Sequence, residues 1–262
     1  MAKNQTPDKV IELYKGKVRI EFFERYHQYF LVKKNGEREK IKSVTSATSV
    51  IDKSAALMGW AVKLGRIFLT EKLESGEIIT LEMVNEAAKL HVVRKKEAAD
   101  LGTAVHDWAE HYIKAKLARK PKPALPEDAR ILNGVIAFLK WEKEHKVKFV
   151  ASELMVYSKK HNYVGLMDAK AIIDGKLACV DFKTSNGIYD EFRFQVAAYR
   201  EADSEESKKK YGSTWIIRFG KDDGEFEAHE IPDHKKDFEA FTAALALRRR
   251  LDELKDNWKN NQ

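Results

Sequence analysis

Asp168, Asp181 and Lys183 are the residues whose types and spacing point to chemistry. Between the two aspartates, Asp174-Gly175 reads as a two-residue hairpin turn, since both positions of such a turn favour φ > 0. With Ile173 paired to Lys176, Asp168 falls opposite Asp181 on one sheet face, with Cβ atoms about 4.5–5.5 Å apart. Lys183, two residues beyond Asp181, projects from that same face. Directly opposed like charges destabilise a strand pair, and one ammonium neutralises one carboxylate at most. A divalent cation would balance the remainder. Carboxylate oxygens, a main-chain carbonyl and water suit Mg2+ or Mn2+. Such an ion activates water and clamps a phosphate oxygen. Lys183 would orient the water or stabilise charge developing on phosphorus. The register alone fits equally well an exposed face with a cross-strand Asp–Lys pair. Met167, Ala169, Val180 and Phe182 favour strands buried on the other face.

These residues must be positioned by a mixed set of elements. Residues 18–32 are rich in β-branched and aromatic side chains, and Asn35-Gly36 then Ile41 follow, which predicts a hairpin. Apolar spacing predicts a helix over 54–73, with Leu57, Trp60, Ala61, Leu64 and Phe68 on its stripe. A second helix covers 80–99, and Gly102-Thr103 is expected to interrupt before a third runs to about Arg119. The proline-rich stretch 120–126 reads as a loop, with Pro126 starting a further helix. Three strands over 147–185, a helix over 190–205, strands over 214–219 and 225–231, and a closing helix over 233–258 complete the order. Helices alternating with strands predict an α/β (α+β) fold. The expected division is 1–100 as hairpin and helical extension, 101–232 as core, and 233–262 as a C-terminal helix on the core.

The chain has 262 residues, with 44% hydrophobic, 34% charged and a net charge of +7. That length supports a substantial core. The basic balance suits a polyanionic partner, and equally a solvated lysine-rich surface. The clusters at 114–122, 208–210 and 248–250 are expected as solvated faces, with one or two tracking phosphates. Cys179 is the single cysteine, which excludes a disulfide framework, a multi-cysteine zinc site and an iron–sulfur cluster. Residues 1–17 are polar, and no stretch has bilayer-spanning apolar length. A cytoplasmic protein without membrane partners is expected.

Gly165-Leu166-Met167-Asp168, then Val180-Asp181-Phe182-Lys183-Thr184-Ser185, then Gln195-Val196-Ala197-Ala198-Tyr199 resemble the motifs of the PD-(D/E)XK nuclease superfamily. They are most similar to its RecB-type exonuclease branch. Gly102-Thr103-Ala104-Val105-His106 resembles that branch's glycine–histidine motif, and Glu153 resembles the acidic residue of the first core strand. Residues 43–60 are similar to the N-terminal part of phage-encoded members. The resemblance implies a restriction-endonuclease-like core: a mixed sheet flanked by helices. It implies Asp168, Asp181, His106 and the Phe182 carbonyl as metal ligands, Lys183 as catalytic lysine, and Glu153 at the metal directly or through water. Gln195, Tyr199, Thr184 and Ser185 would support the site or contact substrate. By helical spacing Glu110 shares a face with His106 and is expected either at the surface or behind the imidazole, where it could orient it. The cofactor implied is one or two Mg2+ or Mn2+ ions.

The function expected is a metal-dependent DNA exonuclease of phage recombination, replication or repair. A structure-specific or restriction-like endonuclease, or a DNA-binding module without catalysis, is the alternative. The partner expected is single- or double-stranded DNA with a free end. A homo-oligomer, or a phage recombination or replication protein as partner, is left open.

Overall fold

The computed structural model describes residues 5–260, except for the side chains of 258–260. Trp258, the last residue of the expected closing helix, therefore lies outside the described side chains. Four strands come first: β1 (Lys9–Leu13), β2 (Val18–Phe23), β3 (Gln28–Val32) and β4 (Arg38–Ser43). Helices α1 (Val44–Thr48), α2 (Ser54–Glu74), α3 (Leu81–Leu117) and α4 (Ala129–Glu144) follow. Then come β5 (Lys148–Ser158), β6 (Tyr163–Ile173), β7 (Lys176–Lys183), α5 (Asp190–Ser207), β8 (Ser213–Phe219), β9 (Phe226–Glu230) and α6 (His234–Asn260). The fold is α/β, an open mixed sheet of nine strands flanked by helices. No helix among the described residues is long and apolar enough to cross a membrane.

The expected N-terminal hairpin is a four-stranded antiparallel meander, with β1 added to the strands read from sequence. β6 is the hub of the sheet. One edge carries β5 antiparallel from end to end. The other carries β4 in parallel at Tyr163 and Val164, then β7 antiparallel from Ala169 to Ile173. Between those two ladders the sheet forks, and Asp168 lies in the fork. The turn joining β6 to β7 is as expected: Asp174 and Gly175 have φ of 50° and 75°, and Ile173 pairs with Lys176.

Helices α3 and α4 cover one face, over Val105, Tyr112, Phe138, Trp141, Phe182 and Phe219. Helices α5 and α6 cover the other, over Tyr163, Met167, Val196, Tyr199 and Phe241. Met167 was expected beside Ala169, Val180 and Phe182, yet it packs with the α5 cluster and the other three with the α3 cluster. The alternation of β6 slips between Met167 and Lys170, whose ammonium also turns to α5, donating to Asp203 at 2.6 Å.

Three helix expectations need correction. Gly102-Thr103 does not interrupt: α3 is one helix of 37 residues, and the expected division after residue 100 falls inside it. The helix after the proline loop starts at Ala129, not Pro126, because Asp128 caps it by accepting from the N–H groups of Arg130 and Ile131. The expected apolar stripe of α2 contains no buried residue. α2 packs chiefly on the outer half of α3, and together they form an arm on which Met58, Val62, Leu73, Ile78 and Leu81 are exposed.

Candidate active site

The ladder between β6 and β7 ends at Ala169–Val180, one pair short of the expected Asp168–Asp181 pair. Instead Asp168 turns its carboxylate along the fork, and its Oδ2 accepts from the Phe182 N–H at 2.6 Å. The two carboxylates remain close enough to act on each other. Burial, and then Asp168, push the Asp181 carboxyl up to about 6 against the pull of Lys183. Burial likewise raises Asp168, opposed by Lys183 and by the Phe182 N–H. Asp181 is 2% exposed; its Oδ2 lies 2.6 Å from Lys183 Nζ, yet has no partner in hydrogen-bond geometry.

Lys183 is held from behind. Its Nζ donates to Gln195 Oε1 at 3.3 Å and lies 4.7 Å from the centre of the Phe192 ring. Gln195 Nε2 in turn donates to Thr48 Oγ1 at 3.2 Å. The Thr48 hydroxyl proton lies toward the carbonyls of Val44 and Thr45, at 3.4 and 3.3 Å, so its oxygen is left to accept. That fixes the amide of Gln195 with its carbonyl toward the ammonium. Gln195 and Thr48 also line a cavity of about 510 Å³ between α1, the start of α2 and α5. Thr48 was not anticipated as a site residue, because its contact with Gln195 spans 147 residues, and Phe192 was not anticipated either.

His106 projects from α3 with Nδ1 3.9 Å from Asp168 Oδ2 and its side chain 30% exposed. Burial and the Lys183 ammonium push its imidazole down to about 4, so it is neutral at pH 7. A neutral imidazole is the form that ligates metal. Glu153 stands across from Asp168 on β5, with φ of 50°, an unfavourable conformation for a side chain of this kind. Burial, Asp168 and Glu110 push its carboxyl up to about 8. Glu110 pairs its carboxylate with Lys114 on the next turn of α3, the surface placement of the two expected.

The remaining expected residues divide. Thr184 packs against Gly102, where a Cβ would come within 2.6 Å of Thr184 Oγ1. The glycine inside α3 is there for close approach, which brings His106 over the end of β7. Ser185 Oγ donates to the Gly187 carbonyl at 2.7 Å and shapes the loop. Tyr199 is 5% exposed, with its ring against Gly165, and lies beneath the site without a face toward substrate. The Phe182 side chain is core, and its backbone carries the site role. Much of the expected basic surface is tied up locally, with Lys116 on Glu142, Arg250 on Glu253 and Arg249 on the carbonyls of His161 and Asn162.

Two neighbouring carboxylates, Asp181 buried and Asp168 with its side chain 16% exposed, beside a neutral imidazole match in donor chemistry a hard divalent cation. Among the described residues, no three or more His, Cys, Asp or Glu side chains are already gathered as a metal-binding group. Here Lys183 occupies the Asp181 oxygen, so binding an ion there requires the ammonium to give way.

No known family and no curated protein matches the chain. One solved structure that does, of the protein SSO0001, is 14% identical and covers 56% of this chain and 74% of its own, with a TM-score of 0.29. A likeness of that level carries no argument about function.

Proposed function

We propose that this chain is a Mg2+- or Mn2+-dependent DNA nuclease of the PD-(D/E)XK type, acting as an exonuclease of the RecB branch. The observation that carries the reading is the buried Asp181 carboxylate, ion-paired at 2.6 Å to Lys183 and beside a second carboxylate, Asp168. One ammonium offsets only one of the two carboxylates, and a buried charge left uncompensated is costly. A site that exchanges the ammonium for an ion has a use for it. Asp168, Asp181, His106 and the Phe182 carbonyl would hold the ion. When bound, it supplies a water of lowered pKa and a positive charge for a phosphate oxygen.

The chain's own groups do the rest. Gln195 keeps Lys183 at the mouth of the site, where its ammonium can meet the non-bridging oxygen of the scissile phosphate. Thr48 keeps the Gln195 carbonyl turned that way. Glu153, across from Asp168 on β5, would contact the ion directly or through water. The net charge of +7 favours approach of a polyanion. The setting proposed is the cytoplasm, in phage recombination, replication or repair.

End-labelled linear DNA and covalently closed circular DNA, incubated with Mg2+, Mn2+ or EDTA, test the reading. Loss of linear DNA alone, abolished by EDTA, Asp181→Ala and Lys183→Ala, is expected. Cutting of circles would make the enzyme an endonuclease. Binding without cutting in either metal would leave a DNA-binding module, and activity surviving both substitutions would place the chemistry elsewhere.

A further inference from the structure

A second cavity, of about 420 Å³, lies between the N-terminal meander and α6. Lys40, Lys42, Arg248 and Lys255 line it against Asp252 and Asp256, leaving an excess of positive charge. Asp252 is already shared, by ion pairs to Lys42 and to Arg248. Among the described residues, Lys40 and Lys255 have no ion-pair partner. The Arg248 Nε is buried with no hydrogen-bond partner. Burial and the neighbouring Lys42 hold the Lys40 ammonium below its usual range. Unpaired cations and an unsatisfied guanidinium N–H lining one concavity are a site for an anion.

Aromatic rings border the same cavity. Tyr26 is 42% exposed. His27, with φ of 48°, fixes the turn before β3, and its ring lies edge-on to Phe22 and Tyr29 at 5.4 and 6.1 Å. Tyr26 is thus presented on a braced turn, its ring lying 5.6 Å from the Arg25 guanidinium. Cations in a hollow with an open ring at its edge are the elements that bind unstacked nucleotides: phosphate in the hollow, base on the ring. A duplex keeps its bases stacked inside and offers nothing to the ring.

We propose that this cavity is a second, non-catalytic site for single-stranded nucleic acid, holding a backbone phosphate at Lys40, Arg248 and Lys255 and stacking a base on Tyr26. Ser43 and Ser46 line this cavity, while Thr45 and Thr48 line the cavity at Gln195, so α1 separates the two, and Gln195 is the residue that holds Lys183. A strand engaged at Asp181 and carried over α1 would reach Tyr26. The inference stands on the cavity and not on metal chemistry at Asp181.

The test is fluorescence anisotropy of labelled oligo(dT) in EDTA over a range of salt. Wild type is compared with Lys40→Glu/Lys255→Glu and with Tyr26→Ala, all at exposed positions where folding is verified by circular dichroism. The charge variant is expected to weaken binding at least about tenfold and to flatten the salt dependence by about 0.7 for each phosphate no longer neutralised. Tyr26→Ala is expected to weaken it about five- to tenfold. Binding is read in EDTA, where no cleavage operates, so failure of the nuclease reading leaves this result standing. Unchanged affinity and salt slope in both cavity variants would overturn the proposal. So would equal loss of duplex binding, which marks a general polyanion surface, or displacement of oligo(dT) by low-micromolar inorganic pyrophosphate, which marks a small-anion site.

Discussion

Gly165 lies where β6 passes under α5, and alanine there tests how tightly the site is built. A Cβ at this position would come within 2.5 and 2.7 Å of two Tyr199 ring carbons and 2.9 Å of Val44 Cγ2. Carbon atoms rest at about 3.5–4.0 Å, so the ring must retreat by about 1 Å. Tyr199 is buried and cannot swing into solvent. The strain therefore falls on the spacing between α5 and β6, and overpacking of this kind costs about 1–3 kcal/mol. For a chain of this size that is a fall in Tm of about 2–4 °C per kcal/mol. Gln195 is one turn before Tyr199 on α5, so its 3.3 Å bond to Lys183 should be lost as well. Urea unfolding of Gly165→Ala, Tyr199→Leu and the double variant gives the coupling, expected to be at least about 1 kcal/mol. Gly59→Ala is the control: it is in α2 with nothing within 4 Å of the added Cβ. It should gain up to about 1 kcal/mol from helix propensity. The reasoning is refuted if Gly165→Ala is as stable as wild type, or costs the same without the Tyr199 ring.

Three further outcomes are expected. Glu153 has its carboxyl raised to about 8 from an ordinary 4.5. The folded state therefore binds this proton more tightly than the unfolded chain. The associated stability is complete below about 4.5 and is lost as pH rises through about 8. Glu153→Gln should flatten that decline in denaturant titrations across the same window. Lys170 and Asp203 form a buried pair, 7% and 8% exposed, with Tyr211 also donating to Asp203. Lys170→Met should cost about 3–5 kcal/mol by stranding the carboxylate, and Lys170→Met/Asp203→Leu should recover most of it in the same unfolding assay. Thr48→Val removes the acceptor for Gln195 Nε2, so steady-state cleavage should show kcat reduced about tenfold, roughly 1.4 kcal/mol, with KM within about twofold. Thr48→Ser should retain wild-type kcat, and a matching loss with serine would count against positioning by the hydroxyl.

The hairpin register was readable because Asp174-Gly175 imposes it locally: few other residue pairs tolerate two consecutive positive φ values. From that turn Asp181 and Lys183 follow by counting. The end of the ladder at Ala169 was not readable, because it depends on β4 joining β6 at Tyr163, a pairing of strands far apart in sequence. Gly102 misled for a related reason. Locally it weakens a helix by about 1 kcal/mol, and only its approach to Thr184 explains its place. The stripe on α2 has the spacing of a buried face, but spacing does not reveal whether a second partner beyond α3 exists to cover it. Thr48 escaped notice because its role is defined wholly by Gln195, on a helix that sequence places in another region.

The unbroken course of α3 has a mechanical consequence. At about 1.5 Å per residue its 37 residues make a rod of roughly 55 Å. Its inner half is fixed, because Val105, Ala109, Tyr112 and Ile113 are packed in the core, and Gly102 rests on Thr184 where that half begins. The outer limb, from Leu81, is about 30 Å long, and His106 lies only about 6 Å beyond Gly102. A load on the exposed apolar tip is therefore carried along the outer limb and met at its root, one turn from His106.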